Sequence, residues 1–327
     1  MVEATPALAG AVAQKKALPV EKKPSFRAVL KQHWMMYVML IPAALCLALF
    51  HYYPLWGISI AFVKFNPVTG MKGSPFVGFQ NFEVFFGSRY AWPIIRNTIT
   101  IAVGKIFFGQ LTAILFALLL NEVRNRIFKR TIQTITTLPN FLSWVLIGGI
   151  MSQILARAGL VNVFLTKVFR IQAIPFLGKA SIFPWTMIFT DVWKGFGWGA
   201  VIYLAALTNI SPELYEAAAV DGAGRFARLL HITLPGISST IVLMSCLALG
   251  GILNAGFEQI LVLYNPMVYS TGDIIDTYVF RVGLVGSGGM PDFSLGTAVG
   301  LFKSVIGFFL IMLSYWLADK FANYRIF

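Results

Sequence analysis

The chain has 327 residues, of which 57% are hydrophobic and only 12% are charged, whereas about 25% of the residues in an average soluble domain are charged. With a mean hydropathy of +0.75, this composition excludes a single soluble domain and indicates an integral membrane protein. Lys and Arg outnumber Asp and Glu by 26 to 13. In a soluble protein that excess favours nucleic-acid binding, but in a membrane protein it is typical of cytoplasmic loops, so we expect no nucleic-acid partner.

The N-terminal segment is rich in Ala, Lys and Pro and carries six basic side chains before residue 34. Such a segment cannot bury enough apolar surface to fold by itself, so we predict a disordered cytoplasmic tail over residues 1–33. The first apolar run follows this tail, has no cleavage signature and precedes several more runs, so we expect no cleavable signal peptide. Residues 34–327 are predicted to form one transmembrane domain.

Six segments are long and apolar enough to cross a bilayer, which takes about 20 residues in a helix. They lie at about residues 34–62, 94–120, 132–156, 183–208, 237–263 and 296–319. The sequence therefore predicts an all-α polytopic membrane protein with six transmembrane helices. Pro139 lies inside the third segment, where a proline can kink the helix.

The distribution of basic residues between the loops predicts which end of each span lies in the cytoplasm. With the N-terminus inside, the inner segments hold 14 Lys and Arg residues and the outer loops hold 8. Cytoplasmic loops carry the larger share of Lys and Arg in membrane proteins. We therefore predict that both termini and the loop at residues 209–236 are cytoplasmic.

Two outer loops are long enough to hold structure of their own. Within residues 64–93, the stretch "NFEVFF" is expected to form an amphipathic helix at the membrane interface. Residues 264–295 are rich in Gly and Tyr, and they fit an ordered cap and a plain surface loop equally well.

The predicted cytoplasmic loop at residues 209–236 interrupts the apolar chain with Glu, Asp, Arg and His. Ser211 is a favourable N-cap residue, and Pro212 suits the first helical position. Gly222 and Gly224 then end this helix, and the stretch "RFARLLH" can form a second short helix. Local physics alone leaves open an ordinary amphipathic loop between two spans.

The spacing within this loop resembles the EAA motif of ABC importer permeases. The sequence Glu216-Ala217-Ala218 is followed after three residues by Gly222, after nine more by Ile232, and then by Leu234-Pro235. Other stretches look like the carbohydrate-importer branch of that family, and within it the polysaccharide type. They are "FVGFQNF", "RNTI", "DVWKGFGW", "YEAAAVDGAG" and "LGTAVGLFKSVIGF".

This resemblance implies a type I ABC importer permease fold in a bacterial inner membrane, and a subunit without catalytic activity. The implied partners are a second permease, two ATP-binding cassette subunits that hold ATP and Mg, a periplasmic solute-binding protein, membrane lipid and a saccharide substrate. By this resemblance the first short helix couples ATP hydrolysis to transport. The implied coupling residues are Glu216, Ala217, Ala218, Asp221, Gly222, Leu234 and Pro235.

Roles within that set also follow from the resemblance. Glu216 would hold the contact between the helix and the ATPase subunit, and Gly222 would permit the turn after it. Ala217 and Ala218 would form a face that another backbone can approach closely.

Two other classes of membrane protein fit the residues less well. A membrane enzyme would need clustered acids or a nucleophile at one membrane face, and the acids of this chain are sparse and dispersed. A stand-alone secondary transporter more often has internal symmetry and carboxylates at mid-membrane. The chain also lacks a phosphate-binding loop: the nearest match, "LGKAS" at residues 177–181, has Ala180 where Ser or Thr is required.

Ionisable residues inside the predicted spans are costly, at about 2.5–3.5 kcal/mol each on insertion scales, and need a structural or functional reason. One reason is ion pairing between spans, for which Asp191 with Lys194 is a candidate three residues apart. The alternative is a polar path for solute. Candidate path residues are Asn97, Lys105, Gln110, Trp193, Lys194, Trp198, Asn254, Glu258 and Lys303, with Gln153 and Gln259 as further polar edges.

The charge balance of these residues favours an acidic substrate. If Asp191 pairs with Lys194 and Glu258 pairs with one other base, then Arg96 and either Lys105 or Lys303 stay uncompensated. A polyuronate such as alginate would supply carboxylates to such a basic cavity. The alternatives are that a partner permease supplies the missing acids, or that the substrate is a neutral oligosaccharide.

Overall fold

The computed structural model describes residues 31–286 and 290–322, with side chains to residue 320. The chain divides into two compact units, residues 1–56 and residues 57–327. Residues 1–30, which make up most of the predicted N-terminal tail, lie outside the described residues.

The described residues are mostly helical and contain no β-strand; one antiparallel bridge joins Val63 and Phe76. The α-helices are α1 (Trp34–Leu47), α2 (Gln80–Phe86), α3 (Ala91–Asn121), α4 (Arg126–Thr137), α5 (Trp144–Ile154), α6 (Leu160–Phe169), α7 (Phe183–Thr208), α8 (Pro212–Val220), α9 (Arg225–Arg228), α10 (Leu234–Gly236), α11 (Ser238–Gly250), α12 (Phe257–Leu263), α13 (Tyr269–Gly272), α14 (Ile275–Phe280) and α15 (Phe293–Ala322). Turns of 3₁₀-helix lie at Tyr53–Phe62, Met71–Gly73, Leu138–Phe141 and Pro266–Val268, and turns of π-helix at Ala48–Tyr52, Leu229–Thr233 and Arg281–Val285.

Three helices of the described chain are long and apolar enough to cross a membrane: Trp34–Phe62, Ala91–Asn121 and Phe293–Lys320. Two bent helix pairs, at residues 126–154 and 225–250, raise the possible number to five. The fourth predicted span forms α7, whose 26 residues make a helix about 39 Å long. The total of six spans remains a prediction.

Packing between the long helices fixes their relative directions. Gly104 of α3 lies against Ile188 of α7, and Ala113, further along α3, lies against Gly199 of α7, so these helices run parallel. The hydroxyl of Ser314 in α15 donates a hydrogen bond to the carbonyl of Cys246 in α11. The loop at residues 209–236, which follows α7, therefore lies at the opposite end of the bundle from residues 264–286, which contact the start of α3.

The third predicted span is broken at residues 142–143, just after the predicted proline. Helices α4 and α5 meet at 104°, and the 3₁₀-turn that contains Pro139 separates them. Helix α7 passes close to this bend, because a Cβ on Gly197 would collide with the carbonyl of Thr136. The expected kink is therefore confirmed, and it is large enough to redirect the chain.

The fifth predicted span, residues 237–263, is wrong as a continuous helix. Helix α11 ends at Gly250, and α12 begins at Phe257. Gly256 has a φ of 90°, which is left-handed and interrupts a right-handed helix. The sequence "GGILNAG" at residues 250–256 supplies the three glycines and the asparagine that favour such a break.

The two long loops that the sequence predicts on the outer side have regular structure where they are described. The stretch "NFEVFF" forms α2 as expected, and the buried ring of Phe85 lies 5.6 Å from the ring of Tyr278. Between residues 264 and 286 the chain forms α13, α14 and two short turns, and it buries Ile274 and Ile275. The described part of this loop therefore has the structure of an ordered cap.

We predict that Gly256→Ala destabilises the chain, whereas Gly251→Ala does not. An alanine at residue 256 would hold a φ of 90°, which costs about 1–2 kcal/mol, and its Cβ would collide with Lys105 Nζ. Gly251 has a φ of −98°, and a Cβ there meets its nearest atom at 3.7 Å. Thermal unfolding of the purified variants in detergent measures the difference, and equal melting temperatures would contradict the assigned break.

Candidate functional site

The first helix of the 209–236 loop is α8, which begins at Pro212 and ends at Val220. Ser211 occupies the N-cap position, but its hydroxyl makes no capping hydrogen bond. The expected side-chain cap is therefore absent. The helix start instead relies on Pro212, which lacks an N–H and has a backbone angle that suits the first helical position.

A tight turn follows α8 and depends on Gly222. This residue has a φ of 78°, and no atom of the described chain lies within 4 Å of the place where a Cβ would sit. The Ala223 amide donates to the Ala218 carbonyl at 2.8 Å and so closes the helix end. Gly222 is therefore required for its backbone conformation and not for space within this chain.

The two arms of the loop are tied together. The hydroxyl of Tyr215 in α8 lies 3.1 Å from the hydroxyl of Thr233 in the returning arm. At the base of the loop, a Cβ on Gly236 would press on the side chain of Ile210. The loop is therefore a closed helical hairpin, attached to the end of α7 and to the start of α11.

Most of the motif residues lie on the surface of this hairpin. Glu216, Ala217, Asp221 and Gly222 are exposed, Ala218 and Leu234 are half-buried, and Pro235 is exposed. Three large apolar side chains are exposed beside them: Leu214, Val220 and Phe226, at 54%, 89% and 70%. The sequence does not predict their exposure, because helices of nine and four residues are too short for periodicity to separate an outward face from a packed one.

The intramembrane lysine of α3 sits in a buried polar network. Lys105 Nζ donates to the Ala255 carbonyl at 2.8 Å and to the amide oxygen of Gln259. It also lies 3.4 Å from Asp191 Oδ1 of α7. The expected pairing of Asp191 with Lys194 is therefore wrong, and Lys105, a residue of a different helix, takes its place.

Lys194 contacts the bend in the third predicted span. Its Nζ donates to the Asn140 carbonyl at 3.1 Å and lies 5.4 Å from the centre of the Trp144 ring. The carbonyl belongs to the 3₁₀-turn between α4 and α5, and it would otherwise lack a helical partner. Lys194 thus stabilises a bend and does not form the candidate ion pair with Asp191.

Lys303 of α15 binds a carboxylate and the broken fifth segment together. Its Nζ lies 2.6 Å and 2.8 Å from the two oxygens of Asp276 and donates to Asn254 Oδ1 at 3.0 Å. Lys105 and Lys303 both have acidic partners, so the expectation that one of them is uncompensated is wrong. Arg96 and Glu258 are exposed and form no ion pair within the described residues.

The remaining candidate path residues fall into two groups. Asn97 is buried and donates to the carbonyls of Ser270 and Asp273 at 3.1 and 3.2 Å, so it fixes the segment at residues 264–286 onto α3. Gln110 accepts a 2.8 Å hydrogen bond from the Ser245 hydroxyl.

The second group presents its side chains on the surface of the chain. Trp193 and Trp198 are exposed on α7, and Gln153 is exposed on α5. Gln259 is completely buried and belongs with the first group. The arrangement separates buried residues that hold the helices together from exposed ones on α5 and α7.

Comparison with known proteins places the chain in a family. Residues 106–323 match the family described as "binding-protein-dependent transport system inner membrane component". Protein LplB of Bacillus subtilis (strain 168) is 40% identical over 298 residues, which cover 91% of this chain and 92% of LplB. The chain belongs to this family, and it is a permease of the sugar-importing ABC class.

One further relative and one solved structure are also similar to this chain. The polygalacturonan/rhamnogalacturonan transport system permease protein YteP of the same Bacillus strain is 38% identical, over 93% of each chain. A crystal structure of a bacterial ABC transporter involved in the import of the acidic polysaccharide alginate contains a chain that matches with a TM-score of 0.80. That chain is 34% identical, and the match covers 90% of this chain and 98% of that one. The all-α type I permease fold expected from the sequence is thereby confirmed.

We predict that Lys105→Met destabilises the folded chain, because the Ala255 carbonyl and Asp191 lose their shared donor. Leaving the buried Ala255 carbonyl unsatisfied costs about 1–3 kcal/mol, and the half-buried Asp191 carboxylate also loses its ion pair. Arg96→Gln, which also removes a cation from α3 but breaks no contact within the described residues, is the matched control. Thermal unfolding in detergent should separate the two variants by several degrees, and a stable Lys105→Met protein would show that the network is dispensable.

Proposed function

We propose that this chain is a membrane subunit of an ATP-driven importer that carries an acidic oligosaccharide or polysaccharide into the cytoplasm. Its partners would be a second permease, two ATP-binding cassette subunits that hold ATP and Mg, and a periplasmic solute-binding protein. Both termini and the 209–236 hairpin would face the cytoplasm. The chain itself would bind no nucleotide and catalyse no reaction.

The observation that carries this proposal is the 209–236 hairpin. It presents Glu216 and three apolar side chains, Leu214, Val220 and Phe226, on a compact surface at one end of the bundle. Exposed apolar side chains with a charged neighbour are typical of a protein contact. We infer that an ATP-binding cassette subunit covers this surface.

The hairpin is built to pass movement into the membrane. Its base continues into α7 and α11, and the contact between Tyr215 and Thr233 joins its arms. Helix α7 carries Asp191, which contacts Lys105 of α3. A displacement of the hairpin by the ATPase subunits would therefore reach the buried network around residues 251–256 through α7.

The proposed acidity of the substrate is supported by the related proteins and not by the charge count within the spans. YteP is named for polygalacturonan, and the solved transporter is described as importing the acidic polysaccharide alginate. Lys105 and Lys303 have carboxylate partners, so neither offers a free positive charge. A neutral oligosaccharide remains the competing substrate, and the experiment below distinguishes the two.

The coupling role predicts that Gly222→Pro abolishes transport, whereas Gly224→Pro does not. Proline fixes φ near −65°, which is incompatible with the 78° of Gly222 but close to the −67° of Gly224. The Gly224 amide donates no hydrogen bond within the described chain, so it is a matched control. Glu216→Lys, which reverses an exposed charge, is also expected to abolish transport.

The measurement is uptake and ATP hydrolysis by the assembled complex in proteoliposomes, with membrane insertion checked by immunoblot. We expect Gly222→Pro and Glu216→Lys to insert normally and to lose at least about tenfold in uptake, a loss of about 1.4 kcal/mol in coupling. Normal uptake by both variants would mean that the hairpin is a passive loop.

The substrate proposal predicts that acidic oligosaccharides stimulate the complex more than neutral ones. The complete complex with its binding protein is given oligogalacturonides or malto-oligosaccharides of the same length, and ATP hydrolysis is measured. Greater stimulation by the oligogalacturonides supports the proposal. Equal or greater stimulation by the neutral sugars would assign the complex a neutral substrate.

A further inference from the structure

A large cavity lies at the end of the bundle opposite the 209–236 hairpin. Its volume is about 950 Å³, which is within the range of about 300–1,000 Å³ that is usual for small-ligand sites. The start of α15, the loop before α2 and the outer segment around α14 enclose it. Polar and aromatic groups that line it include Lys64, Gln80, Tyr90, Tyr278, Arg281 and Asp292.

The centre of this cavity's chemistry is Arg281. One guanidinium nitrogen, Nη2, lies 2.5 Å from Asp273 Oδ2, and the guanidinium stacks 4.4 Å from the centre of the Tyr269 ring. The other nitrogen, Nη1, is buried and has no hydrogen-bond partner within the described chain. An unsatisfied buried donor is unfavourable, so a shift of the surrounding side chains that brings an acceptor to this nitrogen would stabilise the site.

The carboxylate beside Arg281 does not saturate it. Burial raises the pKa of the Asp273 carboxyl above its usual range, although hydrogen bonds from Arg281 and Thr277 partly oppose this shift. The carboxylate contacts only Nη2 of the two terminal guanidinium nitrogens and leaves Nη1 without an anionic partner within the described chain.

The other lining groups suit a sugar with a carboxylate. Lys64 is exposed at the cavity and forms no ion pair within the described residues. Burial raises the pKa of the Tyr278 hydroxyl, so that hydroxyl stays protonated at neutral pH and remains a donor. The acid in the lining, Asp292, already accepts a 2.9 Å hydrogen bond from the Leu295 amide at the start of α15.

We propose that this cavity binds one residue of an acidic oligosaccharide, with Arg281 and Lys64 directed to its carboxylate. The inference rests on the proposed function and adds a binding site at the outer end of this chain. A guanidinium and an ammonium bind a carboxylate through charge-assisted hydrogen bonds, and the tyrosine rings offer flat apolar faces to the sugar. A segment of a partner protein is the rival occupant.

The test uses the assembled complex in lipid nanodiscs without its binding protein, titrated with trigalacturonate or maltotriose and followed by ligand-observed NMR. Lys64→Gln is compared with Lys72→Gln, which removes an exposed lysine of the same loop that does not line the cavity. We expect Lys64→Gln to weaken trigalacturonate binding by about two- to fivefold, as for an exposed charge pair. Lys72→Gln should bind like the wild type.

A second variant removes the buried pair as a unit. Asp273→Asn/Arg281→Gln avoids leaving either charge alone, and its assembly is checked by size-exclusion chromatography. We expect it to lose about tenfold or more in affinity for trigalacturonate, as for a charge-assisted hydrogen bond. Binding of maltotriose should be weak in every variant.

Three results would overturn the inference. They are equal binding of the two trisaccharides, wild-type affinity in both cavity variants, and variants that keep trigalacturonate affinity but no longer dock the binding protein when it is added in a separate measurement. The last result would assign the cavity to a protein contact. Uptake measurements separate this inference from the proposed function. If the wild-type complex imports oligogalacturonides and the cavity variants import them equally well, only the cavity site is contradicted. If the wild-type complex does not import them, the proposed function is contradicted.

Discussion

Helices that break inside a membrane expose backbone carbonyls that neither water nor lipid can satisfy. In this chain, lysine side chains donate hydrogen bonds to the polar groups at the breaks. Lys105 donates to the carbonyl of Ala255 in the broken fifth segment, and Lys194 donates to the carbonyl of Asn140 in the bend of the third. Lys303 reaches the side chain of Asn254 in the same broken segment. Each break is thereby held by a side chain of a different helix, and the positions of α3, α7 and α15 depend on these contacts.

The same contacts relate the two ends of the molecule. Helix α7 runs from the end of the bundle that holds residues 264–286 to the 209–236 hairpin, and it carries both Asp191 and Lys194. Movement at the hairpin would therefore act on both breaks at once, since Asp191 contacts Lys105 and Lys194 contacts the third-segment bend. The polar residues inside the bundle therefore connect neighbouring helices to one another.

Local sequence signals predicted what depends on local physics. The long helices α3 and α15 follow their apolar runs, Pro139 lies just before the bend, and Gly222 forms the turn that ends α8, as the sequence predicted. Hydropathy failed at residues 250–256, because the break is apolar overall and is marked only by its glycines and Asn254.

Pairing between helices was beyond the sequence. Asp191 and Lys194 are three residues apart on one helix, so proximity along the chain favoured them over the true pair of Asp191 with Lys105. Sequence separation carries no information on which helices pack together. The exposed apolar side chains of the hairpin were missed for the related reason that burial is decided by tertiary packing.

The bend at Pro139 has a consequence for how the chain enters the membrane during synthesis. Its Asn140 carbonyl finds a donor in Lys194, and Thr136 lies against Gly197, so both partners come from a helix made later. Facing lipid alone, the bent segment would keep an unpaired carbonyl. The third segment and α7 are therefore expected to leave the translocon together as one unit, and not one after the other.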